Sequence, residues 1–225
     1  MTISLQPPHM LATITRVFSD CVFPKFCYGC NTYGAFLCDT CAKTLLIAPA
    51  VHIASDSSAV AGYISCGLYQ TALLKTLIHQ LKYNGIQQLA DPLGALLRYG
   101  FIQSQTTARV ENPLFVPIPL YARRMRERGF NQNELLARVA FPNEMINLAV
   151  LTRVRHTKPQ ATLSREKRIT NIHNSFQCNS VPIQENIQTI VLIDDVMTTG
   201  ATIESAARAL APLKKPIYGL VLAKD

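Results

Sequence analysis

The stretch "TIVLIDDVMTTGATIESAARAL", residues 189–210, constrains the fold more than any other part of the chain. It opens with an apolar run of strand length and closes with a pattern that repeats at helical spacing. An apolar run of this length is buried on both faces, which happens in parallel sheets covered by helices. The same alternation recurs along the chain. "YISCGLYQ", "LFVPIP", "NLAVLTRV" and "PIYGLVLA" read as strands, whereas "TALLKTLIHQLKY" and "IQQLADPLGALLRYGFIQ" read as helices. In the first of these helices Leu73, Leu74, Leu77, Ile78 and Leu81 share one face, and Asn84-Gly85 stops it. The expected fold is α/β, a mostly parallel sheet flanked by helices. "LIAPAVHIASDSSAVAG" reads as a connector.

Ligands of such sheets bind beyond the carboxyl ends of the strands. The strand "IVLI" is expected to end at Asp194 and Asp195, and a helix to start after Gly200. Backbone N–H groups from Thr198 to Thr202 then face one small cup at the positive end of the helix dipole, which suits a phosphate monoester. Thr198, Thr199 and Thr202 add hydroxyls, Ala201 contributes its N–H, and Gly200 lets the backbone come close. The two carboxylates would repel a phosphate but accept hydrogen bonds from the vicinal hydroxyls of a sugar. The segment therefore reads as a holder for a ribose 5-phosphate. It lacks the Gly-x-x-x-x-Gly-Lys of a Walker loop. The competing readings are a threonine-capped turn with incidental acids, and a phosphoacceptor aspartate, for which no second acidic cluster is evident.

Four of the seven cysteines form two Cys-x-x-Cys pairs, Cys27 with Cys30 and Cys38 with Cys41. Two such knuckles complete a tetrahedral sulfur site, and four sulfurs leave no open position, so the expected ion is a structural Zn²⁺. An odd cysteine count argues against a disulfide framework, and the setting is unlike that of a thioredoxin-type pair. Cys66 and Cys178 read as core residues, and Cys21 as a buried, unliganded cysteine or a fifth thiol that could replace a ligand. An amphipathic helix through Leu11, Ile14, Val17 and Phe18 is expected ahead of the module. The expected division is residues 1–50 for helix and zinc-binding module and 60–225 for the α/β domain.

The net charge of +8 is uneven. Between residues 121 and 175 stand 11 Lys/Arg against 4 Asp/Glu, and the remaining residues carry 11 against 10. Such concentration suits a polyanion, with a solvated basic face as the plain alternative. No apolar run is long enough to span a membrane and the start is a poor signal peptide, so a cytoplasmic location without membrane insertion is expected.

"IVLIDDVMTTGAT" resembles the phosphoribosyl-pyrophosphate signature of type I phosphoribosyltransferases. "FVPIPLYARRMRERGFNQNELLA" and "HTKPQATLSREKRITNIHNSF" resemble the ComF (ComFC) competence-protein family, which also carries an N-terminal pair of Cys-x-x-Cys motifs. The motifs touch most of the chain from Cys27 to Val221. The resemblance implies a type I phosphoribosyltransferase-like fold in which Asp194 and Asp195 hold the ribose and residues 198–202 the 5-phosphate. It makes residues 121–128 a pyrophosphate loop, with Arg123, Arg124, Arg126 and Arg128 as its cations. It also makes residues 153–171 a flexible closing loop, with Arg155, Lys158, Gln160, Arg165 and Arg168 as contacts. Mg²⁺ would accompany phosphoribosyl pyrophosphate. Asn131 reads as a helix cap, boxed by Glu134. His79, His156 and His173 read as helix or loop residues rather than acid–base groups.

No base-recognition element stands out, and the resemblance implies instead a role in natural transformation. It implies single-stranded DNA as partner, together with competence-machinery proteins such as the ComF helicase-like protein. Tyr121, Phe130 and Phe176 are candidates to stack on bases, or core residues. An active phosphoribosyltransferase and a phosphoribosyl-pyrophosphate-sensing interaction module remain the alternatives.

Overall fold

A computed structural model describes residues 24–46, 49–154 and 175–225. The predicted N-terminal helix, Cys21, the closing-loop residues Arg155, Lys158, Gln160, Arg165 and Arg168, and the histidines His156 and His173 lie outside the described residues. The chain divides into two compact units, the first ending at Lys43 and the second running from Thr44 to Asp225.

Within the first unit an isolated antiparallel bridge joins Phe26 to Tyr33, and a short helix α1 spans Asp39–Lys43. No residue of α1 is buried. A segment with so little burial cannot offset its chain entropy by apolar contact.

The second unit is built on a five-stranded sheet. β1 (Ala50–Ile53), β2 (Gly62–Ser65), β7 (Ile217–Lys224), β6 (Thr189–Met197) and β3 (Pro113–Pro117) lie side by side in that order. β1 pairs antiparallel with β2, and every other pairing is parallel. The mostly parallel α/β sheet is thus as expected. The connector reading is corrected at its centre, because Ala50–Ile53 forms the edge strand β1. Its half-exposed residues carry little apolar signal, and only the open edge of β2 makes them a strand.

β6 supplies the middle of the core. Ile190, Val191, Leu192 and Ile193 have no exposed surface, each burial being worth about 1.5–3 kcal/mol. The expectation that this strand ends at the acids is corrected too. β6 runs on to Met197, because β7 pairs alongside it as far as Met197↔Lys224. Both acids therefore sit inside the ladder.

One face of the sheet is covered by α2 (Ala72–Tyr83), α3 (Ala90–Ala108) and α5 (Gln132–Ala140). α2 buries Leu74, Leu77, Ile78 and Leu81, the predicted face except for half-buried Leu73. Gly94 lets α3 and α5 close on each other, since a Cβ there would stand 2.6 Å from Val139 Cγ1. The opposite face packs α6 (Ala201–Leu210) against Ile190, Leu192, Leu114 and Val116. It also packs a small antiparallel pair, β4 (Leu151–Arg153) and β5 (Phe176–Cys178), to which the longer strand expected through "NLAVLTRV" is reduced.

The expected arginine loop is a helix. α4 spans Ala122–Arg128, starts after an extended Tyr121 and ends at Gly129, whose φ of 79° caps it. Its sequence, "ARRMRER", consists of strong helix formers, with an Arg123–Glu127 pair at 2.7 Å one turn apart.

Candidate anion-binding site

Successive residues of a strand point to opposite faces, and β6 applies this rule to its two acids. Asp195 shares a face with Val191 and Ile193 and is 4% exposed. Its Oδ1 lies 2.7 Å from Lys82 Nζ, at the last turn of α2, and its Oδ2 accepts from Gln132 Nε2 at 2.7 Å. Gln132 Oε1 in turn accepts from Arg128. One buried carboxylate thereby fixes Lys82 directly and Arg128 through an amide. Burial alone would push the Lys82 ammonium down, but the Asp195 carboxylate outweighs it and holds the lysine above its ordinary value.

Asp194 keeps part of its surface exposed and lines a small pocket with Val196, Met197, Thr198, Gly200, Ala201, Thr202 and Ile203. Its Oδ1 accepts from Asn133 Nδ2 and from the Asp195 N–H, each at 3.0 Å. Burial, and then the neighbouring Asp195 charge, push its carboxyl up to about 7. Asn133 reaches it because α5 is pinned to the end of β3. Asn131 Oδ1 caps α5 by accepting from Asn133 N at 3.1 Å, and both asparagine amides donate to Ile118 O. Asn131 is thus the cap expected. Glu134, its expected box partner, engages Arg138 at 2.9 Å.

The turn between β6 and α6 is held from below. Gly200 has φ +75°, a left-handed conformation, and a Cβ there would meet Tyr63 Oη at 3.4 Å. Tyr63 Oη donates to Glu204 Oε1 at 2.7 Å, Ser58 Oγ donates to the same oxygen, and Ala59 N donates to Oε2 at 3.0 Å. Burial raises the Glu204 carboxyl, but these donors prevail and hold it below its ordinary value. Thr199 Oγ1 accepts from Ala201 N at 3.4 Å, which makes it a cap for the first turn. Thr198 and Thr202 line the pocket.

On the other side of β6, a cleft of 590 Å³ opens between α2 and α4, with Lys82, Tyr83, Arg123, Arg124 and Arg128 among its lining residues. Helical geometry divides the four arginines. Arg123, Arg124 and Arg128 line the cleft, and Arg126, exposed, is absent from its wall. Burial lowers the Arg128 guanidinium, with the Asp195 charge opposing. Two of the aromatics considered for stacking are core residues, Phe130 at 8% and Phe176 at 7% exposure.

Lys82, Gln132, Asn133, Tyr63 and Glu204 escaped the sequence reading. The run "NQN" at residues 131–133 was the available signal, three amides opening a helix beside a basic segment. Lys82 gave none, since a lysine in the last turn of a helix is ordinary.

In the first unit the sulfurs of Cys27, Cys30, Cys38 and Cys41 all lie within 4.8 Å of one another, so the four could hold a metal ion such as zinc. Cys30 and Cys38 are 3.6 Å apart, close to the edge of a tetrahedron built on Zn–S bonds of about 2.3 Å. Burial raises the Cys27 thiol, but N–H donors from Cys38, Cys30 and Gly29 bring it down to about 6, the thiolate form a metal requires. Cys66 is buried as expected, and Cys178 is only half-buried.

No protein-family model matches the chain. Curated relatives do. The chain is 34% identical over 140 residues to the DNA utilization protein YhgH of Escherichia coli K12, covering 61% of this chain and 60% of that protein. It is 31% identical over 149 residues to competence protein F of Haemophilus influenzae, covering 62% of each. Competence protein ComFC of Bacillus subtilis is 38% identical over 97 residues, 43% of this chain and 38% of that one. The chain thus aligns with about three fifths of the length of the first two relatives. Together they support the ComF/ComFC competence family for this chain. Among the described residues no helix is long and apolar enough to cross a membrane.

Proposed function

We propose that the protein serves a competence-related role, handling incoming single-stranded DNA on a phosphoribosyltransferase-like scaffold that also takes phosphoribosyl pyrophosphate. One observation carries this reading. The acid-bearing end of β6 stands between a glycine turn that opens a helix and a cleft lined by Lys82, Arg123, Arg124 and Arg128. In this reading the turn, residues 198–202, takes the 5-phosphate, Asp194 faces the ribose, and the cleft takes pyrophosphate or the phosphates of DNA through charge-assisted bonds. Asp195, with its oxygens on Lys82 and Gln132, is assigned the ordering of the cations rather than the sugar. Since both its oxygens are engaged, Mg²⁺ arrives with the pyrophosphate instead of being held by that carboxylate. The names of the relatives, DNA utilization and competence, support DNA as the polyanion.

Fluorescence anisotropy of labelled single-stranded DNA across a salt series, with and without Mg²⁺ and phosphoribosyl pyrophosphate, tests the reading. Salt-sensitive binding that phosphoribosyl pyrophosphate weakens is expected. No binding at low salt would reject DNA as the ligand.

The four cysteines are proposed to hold one structural Zn²⁺, whose binding supplies the folding energy of the first unit, about 10–16 kcal/mol in comparable peptides. Metal analysis of the purified protein should find one zinc per chain. Its removal by a chelator should open the segment around Cys27–Cys41 to protease. A metal-free protein with that segment protected would overturn the assignment.

A further inference from the structure

The wall of the cleft contributed by α2 differs in chemistry from the wall contributed by α4. α4 presents the guanidinium groups of Arg123, Arg124 and Arg128, together with Glu127, which pairs with Arg123. α2 presents Tyr83, an aromatic ring 64% exposed that lines the cleft next to Lys82. Tyr83 lies off the buried face of α2, which is formed by Leu74, Leu77, Ile78 and Leu81. Two neighbours set its orientation instead. His79, one turn earlier, lies 4.7 Å from it between ring centroids, and the Arg128 guanidinium stands 5.6 Å from the ring centroid. Beyond Tyr83, Asn84 and Gly85 end the helix and line the same cleft, and nothing stands within 4 Å of a Cβ built on Gly85.

On the α2 wall the Lys82 ammonium is engaged by Asp195, which leaves the exposed Tyr83 ring as the group offered beside it. Phosphates belong on the α4 wall, and a flat, uncharged π-surface belongs against Tyr83. We infer that Tyr83 is a stacking platform for a nucleobase of single-stranded DNA whose flanking phosphates are held by Arg123, Arg124 and Arg128. This rests on the proposed DNA-handling role and gives the cleft a division of labour, base on α2 and backbone on α4. An aromatic ring with interleaved cations is the usual means of gripping a single strand irrespective of its sequence.

The test compares a labelled oligothymidylate with an abasic strand of the same length and charge, bound to the full-length protein and to Tyr83→Ala and Tyr83→Phe variants. The wild type should bind the base-bearing strand more tightly. Tyr83→Ala should weaken that strand roughly 5- to 150-fold and leave the abasic strand unchanged. Tyr83→Phe, which keeps the ring, should retain the preference. If Tyr83→Ala weakens both strands alike, or neither, the stacking assignment fails. Equal binding of both strands by the wild type also overturns stacking while leaving the DNA role standing. A wild type that binds neither strand removes the DNA role and the stacking site together.

Discussion

The two sides of β6 treat adjacent, chemically identical residues differently. On the α2/α5 side, Asp195 is buried and saturated, with Lys82 on one oxygen and Gln132 on the other. On the α6 side, Asp194 is partly open beside a glycine turn, and its carboxyl is pushed up to about 7. The difference comes from the strand's period of two, which sends neighbouring side chains into different environments. A buried carboxylate with fixed partners orders a site; a half-open one near its protonation midpoint can respond to what enters. Each acid is therefore assigned its own task, although the sequence suggests one shared task.

The largest effect is expected from breaking the buried side. Lys82→Met strands the Asp195 charge and should cost about 3–5 kcal/mol in urea unfolding, whereas the double variant Lys82→Met/Asp195→Asn should recover most of the loss. A loss below about 1 kcal/mol for the single variant would mean that the pair is effectively solvated. Next, Gly200→Ala forces a left-handed residue into the turn at about 1–2 kcal/mol, with Tyr63 Oη only 3.4 Å from the new methyl group. Binding of phosphoribosyl pyrophosphate by calorimetry should fall further than stability does. Unchanged binding would remove the turn from the site.

The pH dependence separates the sides of the turn more finely. The folded Asp194 carboxyl titrates above its unfolded value of 3.8, so the native state holds an extra proton between there and about 7. Its contribution to stability is thus present at low pH, falls as pH rises through that window and stays lost above it. Glu204 has the opposite sign. Its depressed carboxyl stabilises the fold above the ordinary value of 4.5, and that contribution is lost as pH falls through the folded value. Asp194→Asn should flatten the decline expected in urea midpoints between pH 3.8 and about 7, and Glu204→Gln should flatten the loss in acid. An unchanged slope in either variant would reject that residue's role. The smallest effect belongs to Arg126→Ala, which should leave DNA and pyrophosphate binding nearly unaltered while Arg124→Ala weakens both. Equal losses would mean that α4 does not present its arginines to the cleft as a helix does.

Legibility followed the range of the interactions. The core run of β6, the buried face of α2, the Asn131 cap and the two cysteine pairs are local patterns, and each is found where its period or spacing puts it. The α4 helix was legible in principle, since "ARRMRERG" holds helix formers, an i,i+4 ion pair and a capping glycine. The row of arginines drew attention to charge and away from propensity. β1 was not legible, because a four-residue half-exposed segment becomes a strand only when an open edge meets it.

By itself, the sequence determined that the second unit is an α/β sheet, that a strand–turn–helix carries acids beside a glycine turn, and that four cysteines sit at metal-binding spacing. All of these depend on residues within a few positions of one another, where apolar period, turn chemistry and ligand spacing act directly. Only the tertiary structure decided that Asp195 belongs to Lys82 and Gln132, that Glu204 is gripped by Ser58, Ala59 and Tyr63, and that Tyr83 faces Arg128. These partners lie far apart along the chain. A buried charge selects its partner by distance in space, which the packing of helices on the sheet fixes.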